Sequence, residues 1–215
     1  MAPKCAAVIL AGGRSERMGR AKSWLPLDGT PALRYVTDVA AQICPTVVVA
    51  ASPGQTLPDL APGIERIDDP ADRTFEGPLS GIASALEVLA ARQVDLAYIG
   101  ACDSVFLDTH HIAHMLRELN RDRQHPAVVP ESGPFDDGTR FLHATCGAVR
   151  VPVAWQTAAA LLMSGKRAAR SLYEGLNARR LAVASLPEPR VVRSCNTPEE
   201  WHAAVAELTS QSAVP

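Results

Sequence analysis

The sequence lacks the features that mark several classes of protein. Its five cysteines are odd in number, scattered and without a CxxC pair, which argues against a disulfide framework and against a zinc site. Lys and Arg total 21 against 23 for Asp and Glu, so neither nucleic acid nor an anionic membrane is expected as the main partner. No apolar run approaches the roughly 20 residues that a membrane-spanning helix needs. These absences favour a soluble protein of a reducing compartment, and we expect it in the cytoplasm.

One hydrophobic core can serve a chain of 215 residues, which predicts a single domain. Short apolar runs that are typical of buried strands occur at Cys5–Leu10, 46–50, 64–67 and Leu96–Ala101. Segments with helical spacing lie between these runs, among them one that begins at Pro78. This alternation predicts an α/β fold in which helices cover both faces of a mostly parallel sheet.

The second half of the chain carries further signals of regular structure. Strands are predicted at 127–129, 141–149 and 181–186, and helices at 153–164 and 166–176. Asp108 can cap a helix, and Thr197 with Glu200 forms the sequence pattern of a capping box. The domain is expected to cover residues 1–209, followed by a flexible tail at 210–215.

Residues 10–22, which read LAGGRSERMGRAK, directly follow the first predicted strand. The adjacent Gly12 and Gly13 let the backbone turn and present N–H groups to a ligand, while three arginines and one lysine supply positive charge. These features are typical of a loop that binds phosphate. The segment is not a P-loop, because no Gly-Lys-Ser/Thr closes it, and it lacks the GxGxxG glycine spacing.

The same segment resembles, nearly residue for residue, the signature LAGGxSxRMGxxK of the molybdenum cofactor guanylyltransferases. The resemblance implies a Rossmann-like, three-layer α/β/α domain of the nucleotide-diphospho-sugar transferase type. It implies that the backbone of residues 10–13, beginning with Leu10 and Ala11, holds the base and phosphates of a nucleotide. It also implies that Lys22 neutralises phosphate charge during transfer. Arg17 is a further catalytic candidate, and the alternative is that its side chain faces water.

A second segment with a resemblance follows the predicted strand at Leu96–Ala101. Residues 102–106 read CDSVF and are similar to the CDxPF motif of the same family. A carboxylate beside the oxygens of a triphosphate is the kind of ligand that Mg²⁺ takes in proteins. The resemblance therefore implies that Asp103 is a metal ligand and a catalytic residue. Val105 stands where the family has proline, so the shape of this loop departs from the family pattern.

A third segment, residues 76–82, reads EGPLSGI and is similar to the family's GPLxGI helix start. Asp68 and Asp69 stand at the preceding strand end, and Asp69 is the better match to the family's nucleotide-binding aspartate. Gly77 lies just before a predicted helix, whose positive end favours an anion or a ribose hydroxyl. Ordinary entry into the helix is the alternative explanation of this glycine.

Near the end of the chain, residues 194–200 read SCNTPEE and are similar to the family's NxNTPE segment. Ser194 replaces the first asparagine, while Asn196 retains the second. The resemblance implies that Asn196 lies close to the metal and to the acceptor phosphate. The alternative is that Asn196 only prepares the capped helix that follows.

Four histidines attract attention but receive no functional role from the sequence. His110, His111 and His114 lack the acidic or cysteine partners of a zinc site, and a solvated helix start is the preferred interpretation. His143 stands where relatives carry a His-Pro pair near the acceptor, but the proline is absent here. A buried, hydrogen-bonded histidine is an equal alternative for His143.

The resemblance implies one specific reaction. A terminal phosphate of molybdopterin attacks the α-phosphate of GTP, Asp103 holds the Mg²⁺, and pyrophosphate leaves. One alternative keeps this chemistry with CTP or with a sugar or alcohol phosphate as acceptor. A second alternative is a nucleotide-binding adaptor without turnover, against which the retention of Lys22 and Asp103 argues.

The expected partners are therefore small molecules, GTP and molybdopterin, together with transient contacts to other proteins of the molybdenum cofactor pathway. A monomer or a weak homo-oligomer is expected.

Overall fold

A computed structural model describes residues 2–11, 20–70 and 77–212. Within these residues the strands, in chain order, are β1 (Cys5–Leu10), β2 (Pro26–Leu27), β3 (Thr30–Pro31), β4 (Thr46–Ala51), β5 (Ile64–Asp68), β6 (Leu96–Ala101), β7 (Ala127–Ser132), β8 (Phe141–Leu142), β9 (Gly147–Arg150) and β10 (Arg179–Ala182). The two short strands β2 and β3 pair with each other in a small antiparallel hairpin, which the sequence did not predict. The other strands form one main sheet.

The main sheet has the order β10-β7-β9-β6-β1-β4-β5. The short strand β8 also belongs to this sheet and pairs with β7 outside that linear order. β1 pairs in parallel with both β4 and β6, and β5 pairs in parallel with β4. β9 lies between β6 and β7 and runs antiparallel to both. The predicted α/β fold with a mostly parallel sheet is thus confirmed. Because β5, β4, β1 and β6 point the same way, the loops at their carboxyl ends leave from one edge of the sheet.

Helices cover both faces of this sheet. They are α1 (Ala32–Ala41), α2 (Pro78–Ala91), α3 (Thr109–Arg121), α4 (Val151–Met163), α5 (Ala169–Gly175) and α6 (Pro198–Ser212). Successive side chains of β1 enter opposite cores: Val8 packs in the cluster with α2, α4 and α5, whereas Ile9 packs in the cluster with α1 and α3. Burial on both faces explains why β1 reads as a continuous apolar run instead of an alternating one.

A third, smaller apolar cluster lies apart from the two faces of the sheet. It joins the β2–β3 hairpin, the loop after β6 and the start of α6 through Leu25, Leu27, Ala32, Val105, Phe106, Cys195, Trp201 and Ala204. The indole Nε1 of Trp201 also donates to the backbone oxygen of Pro26 at 3.1 Å. This cluster, called the minor core below, connects three segments that are distant in the sequence.

Several predicted element bounds were wrong. The strand predicted at 141–149 is divided into β8 and β9, because the chain turns at His143, whose carbonyl accepts from Cys146 N at 3.0 Å. The strand predicted at 181–186 ends at Ala182 and continues as a 3-10 helix at Val183–Ser185. α6 extends to Ser212, into the segment that the sequence assigns to a tail. Among the described residues, none of the helices combines the length and the apolar character that crossing a bilayer requires.

Candidate active site

The carboxyl ends of β1 and β6 bring two of the predicted segments together. Leu10 pairs with Ala101 in the parallel ladder, and the N–H of Cys102 donates to the carbonyl of Leu10 at 2.9 Å. On the side of β4, the N–H of Ala11 extends the ladder by donating to the carbonyl of Ala50 at 2.9 Å. The chain therefore leaves β1 and β6 side by side, and Asp103 follows two residues after the end of β6.

Lys22, Asp103 and Asn196 meet at this edge, although they are far apart in the sequence. The Nζ atom of Lys22 lies 2.6 Å from Oδ2 of Asp103 and 3.2 Å from Oδ1 of Asn196. The side chains of Lys22 and Asp103 retain only 15% and 16% of their exposure, so their ion pair is partly shielded from solvent. The predicted juxtaposition of cation and carboxylate at neighbouring strand ends is present in the structure.

The minor core explains how these three side chains are positioned. Lys22 begins a 3-10 helix that leads into Leu25, and Asp103 precedes Val105 and Phe106, which are both buried. Cys195 precedes Asn196 and is buried in the same cluster. Each of these three side chains is therefore within three residues of an apolar anchor, and packing of the anchors fixes the distances between the polar groups.

The start of α6 is closed by the predicted capping box. Glu200 N donates to Oγ1 of Thr197 at 3.2 Å, and the Glu200 carboxylate accepts from Thr197 N at 3.3 Å and from Asn196 N at 2.7 Å. Asn196 thus belongs to the helix cap through its backbone. Its side chain belongs to the group formed by Lys22, Asp103 and Asn196, called the Lys22 cluster below. The alternative that Asn196 prepares the capped helix is confirmed, and its place near the metal and the acceptor phosphate stays a prediction.

Asp69 follows β5, on the other side of the β1 strand end. Its Oδ1 atom is buried and has no hydrogen-bond partner among the described residues. Partial burial raises the pKa of Asp69 to about 6, and the charge of Asp68 adds to this rise. A Cβ atom on Gly81 would lie 3.4 Å from this oxygen and 3.7 Å from the Leu10 side chain, so Asp69 is close to the end of β1. An unpaired carboxylate oxygen beside a candidate nucleotide site is available to accept from a ligand.

Gly77 has a packing requirement of its own. Its φ angle is +103°, and a Cβ atom there would lie 2.8 Å from the carbonyl oxygen of Arg167. The same oxygen accepts from Leu79 N at 3.1 Å, in the first turn of α2. The close approach of these two backbones therefore accounts for glycine at this position, which supports the alternative of helix entry that the sequence left open.

Three of the predicted site residues lie outside the described residues. Gly12, Gly13 and Arg17 belong to the segment 12–19, whereas Leu10 and Ala11 are described and lie at the carboxyl end of β1. The roles predicted for all five residues stay predictions.

Comparison with known proteins identifies the family. A model of the MobA-like NTP transferase domain matches residues 7–186, which is most of the chain. The chain belongs to this family. A probable molybdenum cofactor guanylyltransferase of Mycobacterium bovis is 32% identical over 200 residues, covering 92% of each chain. A protein of the same description from Mycobacterium avium is 30% identical over 203 residues, covering 92% of this chain and 93% of its own.

Solved structures agree with this membership at the level of the fold. Molybdopterin-guanine dinucleotide biosynthesis protein A from Archaeoglobus fulgidus has a TM-score of 0.73 at 17% identity, covering 95% of this chain and 99% of its own. The 2-C-methyl-D-erythritol 4-phosphate cytidylyltransferase of Thermus thermophilus has a TM-score of 0.67 at 18% identity, covering 94% and 98%. The α/β architecture is therefore that of NTP transferases.

A cavity of about 490 Å³ lies next to the Lys22 cluster in this member of the MobA-like family. Ser194 lines the cavity, and its hydroxyl accepts from Nδ2 of Asn196 at 3.4 Å, which connects the cavity to the cluster. His143, Arg140 and Arg170 also line it. The sequence did not predict the cavity, because its walls come from segments that no local pattern joins.

His143 is partly buried in the wall of this cavity. Its Nε2 atom lies 2.7 Å from Oγ of Ser132, and its ring contacts Phe141 edge-on. Desolvation lowers the pKa of His143, and the backbone of Val192 partly offsets this effect. The hydrogen-bonded alternative for His143 is present, and the same side chain also faces the cavity.

The carboxylate of Asp103 and the amide oxygen of Asn196 are hard oxygen ligands of the kind that Mg²⁺ takes. Among residues 2–11, 20–70 and 77–212, no group of three or more His, Cys, Asp or Glu side chains is arranged to hold a metal ion. A single carboxylate is nevertheless sufficient for Mg²⁺, which takes most of its ligands from phosphate and water. Asp103 offers such a carboxylate at the strand edge, and its described hydrogen bond involves only one of its two oxygens.

The interpretation of His111 as solvated was wrong. The residue is 0% exposed and its Nε2 atom lies 3.1 Å from the carbonyl of Cys146. Burial lowers the pKa of His111 to about 4, an effect that the Cys146 carbonyl partly offsets. His111 lies on the face of α3 that packs on the sheet, where its ring contacts Tyr98 edge-on. The preceding residue, His110, is exposed.

Proposed function

We propose that this chain is a Mg²⁺-dependent guanylyltransferase that transfers GMP from GTP to molybdopterin and releases pyrophosphate. The observation that carries the proposal is the convergence of Lys22, Asp103 and Asn196 at the carboxyl ends of β1 and β6. The mycobacterial relatives described as probable molybdenum cofactor guanylyltransferases support GTP as the donor and the molybdenum cofactor as the acceptor.

The residues of the cluster have complementary tasks in this reaction. Negative charge develops on the α-phosphate oxygens and on the departing pyrophosphate, and the proposed task of the Lys22 ammonium is to neutralise that charge. Asp103 would hold Mg²⁺, which when bound neutralises the triphosphate and orients it for displacement. The partial burial of both side chains strengthens their electrostatic effect relative to exposed groups.

The acceptor is expected on the side of Asn196 and Ser194. A terminal phosphate oxygen of molybdopterin forms a bond to the α-phosphorus of GTP, while the bond from that phosphorus to the bridging oxygen of the β-phosphate breaks. Asn196 can donate to the acceptor phosphate through Nδ2, and the cavity beside Ser194 has room for the remainder of the acceptor. No covalent bond to the protein is needed, because positioning and electrostatics supply the catalysis.

The nucleotide is expected on the other side, along the end of β1. Leu10 and Ala11 supply backbone atoms to the base, and the unpaired oxygen of Asp69 accepts from a hydroxyl or amino group of the nucleotide. Arg17, Gly12 and Gly13 are proposed to complete the phosphate contacts, and Gly77 to lie at the nucleotide side of α2. We further propose that the enzyme works in the cytoplasm on these small molecules.

The proposal is tested by identifying the product. Purified protein is incubated with Mg²⁺, molybdopterin and either GTP or CTP, and pyrophosphate release and the dinucleotide product are measured. The proposal predicts that pyrophosphate appears only when the acceptor is present and that GTP is strongly preferred. Equal or greater turnover of CTP would contradict the guanylyl assignment, and absence of turnover with every nucleotide would favour a binding protein.

A further inference from the structure

The side chain of Gln55 bridges the ends of two neighbouring strands. Its Nε2 group donates to the carbonyl of Ala11 at 3.4 Å, just after β1, and its Oε1 atom accepts from the N–H of Ser52 at 3.1 Å, just after β4. Ala11 is almost completely buried, with 2% exposure, and its N–H is already held by Ala50. Both backbone polar groups of Ala11 are therefore fixed, the carbonyl by a residue 44 positions away.

Arg66 in turn holds the turn that carries Gln55. Its guanidinium donates to the Gln55 carbonyl at 2.6 Å, to the Ser52 carbonyl at 3.0 Å and to Oδ1 of Asp68 at 2.7 Å. The planar fork of arginine suits such a set of acceptors and leaves the turn little freedom. A further bond, from Nε1 of Trp24 to the carbonyl of Thr56 at 3.1 Å, connects this turn to the 3-10 helix that begins with Lys22.

These contacts fix geometry more than they stabilise the fold. The turn is partly exposed, and the Arg66–Asp68 pair is 31% and 45% exposed, so its net contribution to folding is small. The bonds of Arg66 and Trp24 hold the turn that carries Gln55, and Gln55 contacts the Ala11 carbonyl at the edge where the nucleotide is expected. A carbonyl oxygen has two lone pairs, of which Gln55 uses one.

We propose that Gln55 is a positioning residue for nucleobase selection, and that Arg66 holds it in place. Through Gln55 the Ala11 carbonyl is kept at a fixed place and angle, with one lone pair left to accept from a base. Guanine presents two adjacent N–H donor groups on its pairing edge, whereas cytosine and adenine each present a single amino group there. A rigid acceptor therefore favours guanine, while a movable one adapts to the other bases. This inference rests on the proposed function, because it assumes that the base lies along the end of β1.

The test compares two substitutions of one side chain. Gln55→Glu keeps the acceptor for Ser52 N but cannot donate to Ala11 when ionised, and Gln55→Leu removes both bonds. Gln42→Leu is the matched control, because Gln42 donates to the Asp38 carbonyl on the exposed end of α1, outside the site. Dissociation constants for GTP, CTP and ATP are measured by calorimetry with Mg²⁺, together with kcat and KM for GMP transfer and the thermal midpoint.

Both Gln55 variants are expected to weaken GTP binding by about three- to tenfold, the effect of losing one hydrogen bond, and to raise KM while kcat changes little. CTP and ATP binding should change less, so discrimination falls. Arg66→Met should act in the same direction, and Gln42→Leu should bind like the wild type. Unchanged discrimination in Gln55→Glu and Gln55→Leu, at thermal midpoints like that of the control, would overturn the role of Gln55.

Failure of the proposed function gives a different result from failure of this inference. If the wild type binds GTP selectively but transfers no GMP, the proposed function fails, whereas loss of that selectivity in the Gln55 variants still supports Gln55 as the positioning residue. If the wild type prefers CTP, both the guanylyl assignment and this inference fail. If the wild type binds none of the three nucleotides, both proposals are overturned.

Discussion

The Lys22 ammonium lies 2.6 Å from Oδ2 of Asp103, so the two groups that are proposed to act on the triphosphate neutralise each other. A triphosphate alone must separate this pair and leave the Asp103 carboxylate near its own negative charge. A triphosphate with Mg²⁺ gives Asp103 a new cation and releases Lys22 to contact phosphate. The relationship therefore predicts that nucleotide and metal bind cooperatively.

The first prediction concerns this coupling. GTP should bind at least about tenfold more tightly to the wild type with Mg²⁺ than in the presence of a chelator. Asp103→Asn should remove most of this difference, because the variant has no carboxylate that could bind Mg²⁺ in place of the Lys22 ammonium. Calorimetric titration with GTP measures both constants. A metal effect of equal size in the wild type and in Asp103→Asn would contradict the assignment of Asp103 as ligand.

The second prediction is that the partly buried Asp69 carboxylate lowers the free energy of unfolding at neutral pH. Its folded pKa of about 6 lies above the ordinary value of 3.8, so the native state binds more protons than the unfolded state between these values. The stabilising contribution is thus present at low pH and is lost as the pH rises through about 6. Asp69→Asn should raise the unfolding free energy at neutral pH by up to ~1 kcal/mol, after allowance for solvent screening.

The same Asp69→Asn variant should lose this advantage as the pH falls below the ordinary pKa of 3.8, where the wild-type carboxyl becomes neutral in both states. It should also bind GTP more weakly, because an amide replaces the carboxylate. Denaturant unfolding at several pH values measures the first effect, and the exposed Asp59→Asn serves as control. A stability gain that does not depend on pH would show that charge burial is not its cause.

The third prediction concerns acid stability and His111. Burial lowers its pKa from 6.5 to about 4, so the unfolded state binds more protons in this range. The stability that depends on neutral His111 is complete above about pH 6.5 and decreases as the pH falls towards 4, by an amount on the order of 3 kcal/mol. His111→Asn should therefore show a flatter dependence of unfolding free energy on pH than the wild type.

The exposed His110→Asn is the control for that measurement, since it changes the same helix without removing a buried imidazole. Loss of packing lowers the absolute stability of His111→Asn, so only the slope with pH is informative. An unchanged slope in His111→Asn would show that another group causes the acid sensitivity.

The fourth prediction concerns Trp201, which connects the minor core to α6. Trp201→Ala removes a side chain of 2% exposure and should cost about 3–5 kcal/mol of unfolding free energy. Trp201→Phe loses mainly the bond to the Pro26 carbonyl and should cost about 1–2 kcal/mol. Because the minor core also positions Asn196, KM for the acceptor should rise in the folded fraction of Trp201→Ala. The exposed His202→Ala on the same helix should change neither quantity.

Much of the fold was predictable because its signals are local. β1 and β6 are continuous apolar runs that end at glycine or polar residues, and their predicted bounds agree with the structure. The capping box at Thr197 and Glu200 fixes the start of α6 in the same local way. The bounds were wrong at 141–149 and 181–186, where pairing partners and chain turns decide which residues of an apolar run are in the ladder.

The candidate site was predictable where a motif follows a strand end: Asp103 stands two residues after β6, and Lys22 closes the segment 10–22 that follows β1. Parallel strands that neighbour each other bring their carboxyl ends together, so their proximity follows from topology. The buried state of His111 and the contacts of Gln55 and Arg66 depend on side-chain packing between distant segments. No pattern in the sequence indicates such contacts, and only the structure revealed them.

The fifth prediction tests the central claim, that the carboxylate at the end of β6 is part of a nucleotidyl-transfer site. The measurement is kcat for pyrophosphate release with GTP, Mg²⁺ and molybdopterin, in the wild type, Asp103→Asn and Asp95→Asn. Asp95 lies at the opposite end of the same strand, where its carboxylate accepts from Lys4 N at 2.7 Å, so it is a matched control. Asp103→Asn should lower kcat by roughly 10²- to 10³-fold while Asp95→Asn remains close to the wild type. Similar turnover in Asp103→Asn and the wild type would contradict the account.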